Sequence, residues 1–165
     1  MTRRAFFAQK KRILRYLTVE IFHPAVGTKR YVRKQINPVN LTLESSAPRN
    51  AGQSVQFDGA FFEYSLPEQN DSTISAEIQF GQAGRIFRTE LKEIKGVDRF
   101  DGGEVIIREW VKGETNPDFV LRLYLASIAL ESNGAAILAT QDDPSDKGVS
   151  RVYTTSVFKG LKESL

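Results

Sequence analysis

The sequence predicts a single, mainly β domain: an antiparallel β-barrel or sandwich with an N-terminal amphipathic helix and one inserted short helix. Two observations favour this fold class. Most apolar residues alternate with polar ones at the two-residue period of a half-buried strand, and clusters of Gly, Pro and Asn separate these runs. A length of 165 residues with 41% hydrophobic residues also fits one domain that buries its own core.

The first segment predicts a helix with a basic back. From Arg3 to Leu17, the residues Phe6, Ile13 and Leu17 fall at helical spacing between lysines and arginines. We therefore divide the chain into a basic N-terminal helical arm, residues 1–17, and a single β-rich domain of hub type, residues 18–165.

Charge is distributed unevenly along the chain. Residues 1–34 carry ten lysines or arginines against a single acid, Glu20, whereas the remainder has thirteen basic and nineteen acidic residues. A basic arm on an acidic body can bind nucleic acid, an anionic membrane or an acidic patch of a neighbouring subunit. A solvated face on a docked helix is the simplest interpretation, and a partner-binding arm is the next.

Two hairpins and a loop are predicted before residue 67. Strands 18–22 and 29–36 flank a turn at His23–Thr28. The stretch 37–52 reads as a long interfacial loop with at most one edge strand, at Leu41 and Leu43. Asp58-Gly59 is a strong two-residue turn signal, so we expect a hairpin between the strand containing Phe57 and a strand running from Phe61 to Leu66.

The central unit predicts a strand, a helix and a second strand. Alternation from Ile74 to Phe80 gives the first strand, and an apolar run ending near Lys112 gives the second. Between them, a short amphipathic helix that ends at Gly96 presents Ile86, Phe87, Leu91 and Ile94 on one face. This pattern is typical of a structural element and not of an active site.

The last third predicts a further hairpin. A period-2 face runs from Phe119 to Leu125 and continues towards Leu130, and Asn133-Gly134 turns the chain back through residues 135–139. A polar loop at 141–150 and a final extended segment at 151–159 follow.

Candidate catalytic groups are few. The only histidine, His23, precedes Pro24 in a turn, where a solvated or locally hydrogen-bonded ring is expected. Gly81–Arg85 lies between a strand and a helix start, but it lacks the spacing of a nucleotide fingerprint. Two acidic groups could serve a glycosidase or a cation site, although solvated loops explain them better: Asp98, Asp101 and Glu104, and Asp142, Asp143 and Asp146.

Composition excludes several classes of protein. The absence of cysteine excludes disulfides, thiolate metal sites and cysteine nucleophiles. No apolar run approaches the ~20 residues of a membrane-spanning helix, and no signal-peptide pattern follows the basic N-terminus. We expect a soluble protein that is not an enzyme, holds no cofactor or metal and does not bind membranes.

In order, these segments resemble the phage tail-tip proteins that include the lambda-type minor tail protein L and smaller relatives. The resemblance runs from about Val19 to Phe158. Its blocks are VQFDGAFFEYS, then SAEIQFGQAGRIFRTELKEIKGVDRFDGGEVIIREWV, then LRLYLASIALESNGAAILATQDDP followed by SRVYTTSVFKGL. The lambda-type protein also has a Cys-rich metal-cluster domain, and no role of that cluster carries over to a sequence without cysteine.

The resemblance implies a structural role in the virion. It places a β-rich hub-type barrel in a symmetric ring of the tail tip or baseplate, made in the host cytoplasm. Its partners would be the distal tail protein, central fibre or spike proteins, further copies of itself and the tape measure protein. Expected interface residues are Arg3, Arg4, Lys10, Lys11, Arg12, Arg15, Arg49, Arg151, Tyr153 and Phe158.

Two other functions compete with this one. A small β-barrel could bind nucleic acid through the basic arm, in which case binding would fall steeply with salt. A wall-degrading tail enzyme would need a carboxylate pair within about 10 Å across a cleft, and no pair in the sequence requires that arrangement.

Overall fold

Nine strands form one mixed sheet in the computed structural model of the protein, which describes residues 14–65, 74–81, 101–131 and 134–142. The mainly β prediction is confirmed, and no residue within the described ranges is helical. The strands are β1 (Arg15–His23), β2 (Gly27–Arg33), β3 (Val39–Thr42), β4 (Ser54–Ala60), β5 (Phe62–Ser65), β6 (Ser75–Phe80), β7 (Glu104–Val111), β8 (Phe119–Glu131) and β9 (Gly134–Thr140).

The strand order is β3-β4-β2-β1-β7-β8-β9-β6-β5. Neighbours pair antiparallel, except β2 and β4, which run parallel. The end strands β3 and β5 do not pair with each other in the described part of the chain, so the sheet is not the closed barrel that the sequence analysis allowed. The sheet is nevertheless strongly curved. β4 lies near one end of the strand order and β5 at the other end, yet only Phe61 separates these two strands along the chain.

Two predicted hairpins are confirmed. β1 and β2 pair with His23 opposite Gly27, and the Val26 amide donates to the His23 carbonyl at 3.1 Å. Gly27 has φ of 81°, a backbone conformation that side chains disfavour, which explains a glycine at this turn. β8 and β9 pair with Glu131 opposite Gly134, so Gly134 opens β9 instead of lying in the turn.

The predicted N-terminal helix is wrong where it can be compared with the structure. Arg15, Tyr16 and Leu17 begin β1 and pair with Val111, Trp110 and Glu109 of β7. Ladder hydrogen bonds to a neighbouring strand outweigh the weak helical periodicity of these three residues. Residues 1–13 of the predicted arm lie outside the described residues.

The predicted hairpin at Asp58-Gly59 is also wrong. Both residues lie inside β4, opposite Tyr31 and Val32 of β2, and the chain continues through Phe61 into β5. A Cβ on Gly59 would sit 2.2 Å from the carbonyl oxygen of Gln35. This glycine therefore permits two backbones to approach closely, and it makes no turn.

The two faces of the sheet bury separate cores. The concave face holds the larger core, to which every strand except β3 contributes; it includes Val19, Tyr31, Ile78, Ile107, Leu125 and Ile137. The convex face of β1, β2 and β7 holds a smaller core of Val32, Leu41, Leu43, Ala47, Phe57 and Trp110. Alternation along β1 explains the division, since Val19 and Ile21 belong to the large core while Thr18 and Glu20 are buried outside it.

The remaining predicted elements fall partly outside the described residues. β6, β7 and β8 match the strands predicted from the central unit and the last third, and β3 is the predicted edge strand at Leu41. The inserted helix at 84–96, most of the loop at 141–150 and the segment at 151–159 are not described. The described part of the chain contains no helix that is long and apolar enough to cross a membrane.

Candidate functional site

Only two of the predicted interface residues lie in the described part of the chain. Arg15 has 54% of its side chain exposed and pairs with Glu109 at 3.3 Å. It is therefore accessible, as the interface prediction requires. Arg49 is the second, and the other eight predicted residues fall within 1–13 or 143–165, outside the described residues.

Arg49 is held within the molecule. Its guanidinium lies 4.1 Å from the ring centre of Phe22 and pairs with the carboxylates of Glu20 and Glu104. Only 20% of the side chain is exposed. Arg49 thus has partners inside its own domain, and the loop that carries it packs on its own sheet.

That loop, residues 43–53, is here named the cap loop. Its base is closed by the Leu43 amide, which donates to the Gln53 carbonyl at 3.0 Å. Within it, the amides of Ala47 and Gly52 both donate to the Glu44 carbonyl. Leu43 and Ala47 pack into the smaller core. The segment predicted as an interfacial loop is therefore a compact cover for the convex face.

An ion-pair network fastens the cap loop to the sheet. Its members are three acids and four arginines, Glu20, Glu44, Glu104, Arg30, Arg49, Arg108 and Arg122. Arg108 lies at its centre: Nε and Nη2 donate to both oxygens of Glu44, at 2.8 and 3.1 Å, and Nη1 donates to Glu20 at 3.2 Å. Arg122 also donates to the carbonyl of Ser46.

The network compensates for buried charge. The side chains of Glu20 and Arg108 are fully buried, and an unpaired charge there would cost several kcal/mol. Each Glu20 oxygen accepts from at least one arginine, Oε2 from Arg30 and Arg108 and Oε1 from Arg49. Such a cluster fixes the position of the cap loop more than it adds stability, because desolvation offsets most of the Coulomb gain.

Two side chains, Glu44 and Tyr64, have shifted pKa values. Burial alone would raise the pKa of Glu44, but hydrogen bonds from Arg108 and the backbone, with the charges of Arg108 and Arg122, outweigh burial and lower it. Burial, together with the charge of Glu109 and a hydrogen bond to it, raises the pKa of Tyr64. The Tyr64 hydroxyl donates to Glu109 Oε1 at 3.3 Å.

The place where β4 becomes β5 is a second special region, here named the seam: residues 33–36, 60–63 and 80–81. The Lys34 amide donates to the Ala60 carbonyl at 2.9 Å. The Phe61 carbonyl accepts from the Gly81 amide at 3.3 Å, and Arg33 Nε donates to the Phe62 carbonyl at 2.9 Å. A guanidinium thus donates to a strand carbonyl at the point where β4 becomes β5.

The seam leaves large apolar side chains uncovered. Phe61 is 68% exposed and Ile36 is 89% exposed, whereas the adjacent Phe62 is 3% exposed and packs on Phe80. A cleft of about 370 Å³ lies beside Phe61. It is lined by Lys34, Phe61, Phe62, Glu63, Phe80 and Ala135, among others. Two large apolar side chains beside an aromatic-lined cleft are typical of a protein interaction surface.

Among the described candidate catalytic groups, His23 and Glu104 have structural partners, whereas Asp98, Asp143 and Asp146 lie outside the described residues. His23 is buried and its Nδ1 accepts from the Ala25 amide at 3.1 Å, which confirms the predicted local hydrogen bond but not a solvated ring. Glu104 pairs with Arg49, and Asp101 lies in an exposed turn. Among the described residues, no group of three His, Cys, Asp or Glu side chains could hold a metal ion.

Four residues were not predicted from the sequence: Phe61, Ile36, Glu20 and Arg108. A usable signal existed for two of them, because Glu20 is the single charge in the apolar run TVEIF and Arg108 follows three apolar residues in VIIREW. A charge at such a position is buried with a partner or breaks the strand. No sequence signal marked Phe61, since its neighbour Phe62 belongs to the core.

Comparison with protein-family models finds no family that matches this chain, and comparison with curated proteins finds no match.

Proposed function

We propose that the protein is a non-enzymatic structural component of a bacteriophage tail tip or baseplate. In this role it would be one subunit of a symmetric hub ring around the tail channel, linking the distal tail ring to central fibre or spike proteins. The order of its sequence blocks and its mainly β sheet support the proposal. A structural subunit acts through the surfaces that it presents to neighbouring subunits, so those surfaces are where the proposal can be tested.

The observation that carries the proposal is the uncovered apolar surface of the seam. Phe61 and Ile36 are large and mostly exposed, and Phe61 lines a cleft together with Phe62 and Phe80. Covering an exposed Phe contributes about 1–2 kcal/mol, so burial of these side chains against a neighbour would favour assembly. Lys34 and Glu63 at the rim of the cleft add polar groups that can fix the orientation of that neighbour.

The alternative of nucleic-acid binding gains no support from the described residues. Arg30 and Arg49 are paired with carboxylates, and Arg108 is both paired and fully buried. The basic arm on which that alternative depends lies outside the described residues.

The proposal is tested by incorporation into particles. During production of the phage that carries the gene, an epitope-tagged chain is supplied in place of the wild type, and purified particles are probed by immunoblot. The double variant Ile36→Ser, Phe61→Ser should be incorporated at least tenfold less than the wild type. Tyr124→Ser is the matched control, since Tyr124 is 40% exposed and lies away from the seam. Equal incorporation of both variants would contradict the role of the seam.

A second experiment concerns the basic arm. If the arm docks on an acidic patch of a neighbour, charge reversal of Lys10, Lys11 and Arg12 to Glu blocks incorporation while circular dichroism of the isolated chain stays unchanged. Normal incorporation of the reversed chain would remove the arm from the interface. Absence of the wild-type chain from purified particles would overturn the whole proposal.

A further inference from the structure

We propose that the cap loop is an acid-sensitive latch: protonation of Glu44 releases residues 43–53 from the convex face while the curved sheet stays folded. This device is independent of the role in a tail tip. It follows from how the loop is attached, from which groups face Glu44, and from what lies underneath.

The cap loop is built as a unit separate from the sheet. The described backbone hydrogen bonds of residues 44–52 stay within the loop and its base, at Ala47, Gly52 and Gln53. Its base carries two residues with positive φ, Asn50 at 54° and Gly52 at 67°. No ladder of the sheet needs to break for the loop to lift, so opening can be a local event.

Side chains make the attachment to the sheet, and Glu44 is its most concentrated point. From β7, Arg108 grips both carboxylate oxygens of Glu44; from β8, Arg122 lies 3.6 Å from Oε1. Through Arg108, the carboxylate of Glu20 on β1 and then Arg30 on β2 join the same network. When Glu44 is protonated, it is no longer a charged acceptor for both hydrogen bonds from Arg108. The fully buried Arg108 then keeps Glu20 as its only charged partner.

The cap loop has a second attachment to the sheet, which does not involve Glu44. It is formed by Arg49, whose partners Glu20 and Glu104 belong to the sheet. Apolar contact from the loop itself is limited to Leu43 and Ala47 in the smaller core. Hydrogen bonds from Arg122 to the Ser46 carbonyl and from Arg30 to Asn50 Oδ1 complete the attachment. The loop therefore depends on ion pairs and polar contacts to an extent that the main core does not.

The direction of the pH effect follows from linkage. The folded state lowers the pKa of Glu44, so the stabilisation from its ionised form is present above the unfolded value near 4.5 and is lost as pH falls through the lowered folded value. The latch should accordingly be closed at neutral pH and open only in acid, as pH falls through the lowered pKa of Glu44.

The chain provides its own reporter for this event. Trp110 is the only tryptophan, is fully buried, and belongs to the same small core as Leu43 and Ala47. Lifting the cap loop would expose its ring to solvent. Fluorescence and acrylamide quenching then report the loop, while far-ultraviolet circular dichroism reports the sheet.

The experiment titrates the purified full chain from pH 7 to pH 3. We expect the acrylamide quenching constant to rise at least threefold at a pH where the dichroism of the sheet is unchanged. Glu44→Gln should give this raised quenching already at pH 7, with native dichroism. Glu77→Gln is the matched control, because Glu77 is an exposed glutamate on β6, and it should behave as the wild type.

Three results would overturn the proposal. Coincident loss of both signals would show that the loop and the sheet unfold together. A buried Trp110 in Glu44→Gln at pH 7 would show that Glu44 does not hold the loop. Loss of sheet dichroism in Glu44→Gln at pH 7 would show that the ion pair supports the whole fold and that no local latch exists.

Discussion

The convex face and the seam solve the same physical problem in opposite ways. On the convex face, the chain folds its own cap loop over Trp110, Phe57 and Val32, and all three are fully buried. At the seam, no described segment covers Phe61 or Ile36. Arginines complete both regions, Arg108 by anchoring the cap loop and Arg33 by capping a strand edge. The chain thus covers apolar surface where its own fold needs it, which leaves the seam available to a neighbour.

The largest expected effect tests the convex face. Arg108→Ala should destabilise the protein by about 3–5 kcal/mol, because it leaves Glu44 and the buried Glu20 short of a partner. Urea unfolding followed by circular dichroism measures this change.

The control for this prediction is Arg15→Ala. Its ion pair with Glu109 is half-exposed, so the free energy of unfolding should change by less than about 1 kcal/mol. Equal effects of the two substitutions would show that the network at Arg108 is no more important than a surface ion pair.

A neighbouring pair of phenylalanines tests the seam. Phe62→Ala should cost about 3–5 kcal/mol, since Phe62 is buried against Phe80. Phe61→Ala should cost less than about 1 kcal/mol, since most of its ring is already in water. Thermal and urea unfolding of the two variants would check the contrast. A large loss of stability in Phe61→Ala would mean that this ring serves the fold and is not kept for a partner.

The close approach of backbones at the seam gives a smaller effect. Gly59→Ala should destabilise by about 1–3 kcal/mol, because the added methyl group would overlap the Gln35 carbonyl. Gly81→Ala is the matched substitution, with its nearest contact at 3.9 Å, and it should be nearly neutral. If both glycines tolerate alanine equally, the chain path from β4 to β5 differs from the one described.

The smallest effect concerns alkaline pH. The folded state raises the pKa of Tyr64, so its stabilising contribution is complete below the unfolded value near 10 and is lost as pH rises through the raised folded value. Tyr64→Phe should therefore flatten the decline in stability between pH 9 and pH 11. Tyr124→Phe serves as the control, and an identical decline in the wild type and Tyr64→Phe would exclude the Tyr64–Glu109 contact.

The fold class and most strands could be predicted from the sequence, since alternation along β1, β6 and β8 reflects burial on one face directly. The path of the chain around Gly59 could not be predicted. Asp58-Gly59 has the composition of a turn, but the glycine is needed for a contact with Gln35, which lies far away in sequence. The helix predicted over Arg15–Leu17 was wrong for a related reason. Helical spacing over three residues favours a helix less than pairing with β7 favours a strand.

The functional surfaces were harder to predict than the strands. Phe61 and Phe62 are identical neighbours, and only the curvature of the sheet decides which of them is buried. Arg49 looked like a surface charge, whereas its carboxylate partners Glu20 and Glu104 are distant in sequence. Ion pairs and exposed patches depend on tertiary contacts, and the local pattern of one sequence does not encode them.

One measurement tests the central claim most directly: photo-cross-linking from position 61 in assembled particles. A photoreactive phenylalanine analogue at Phe61 should cross-link this chain to another particle protein or to a second copy of itself, whereas the same analogue at Tyr124 should give at least tenfold less product. Cross-linking that is equal at both positions, or a chain that never enters particles, would contradict the account.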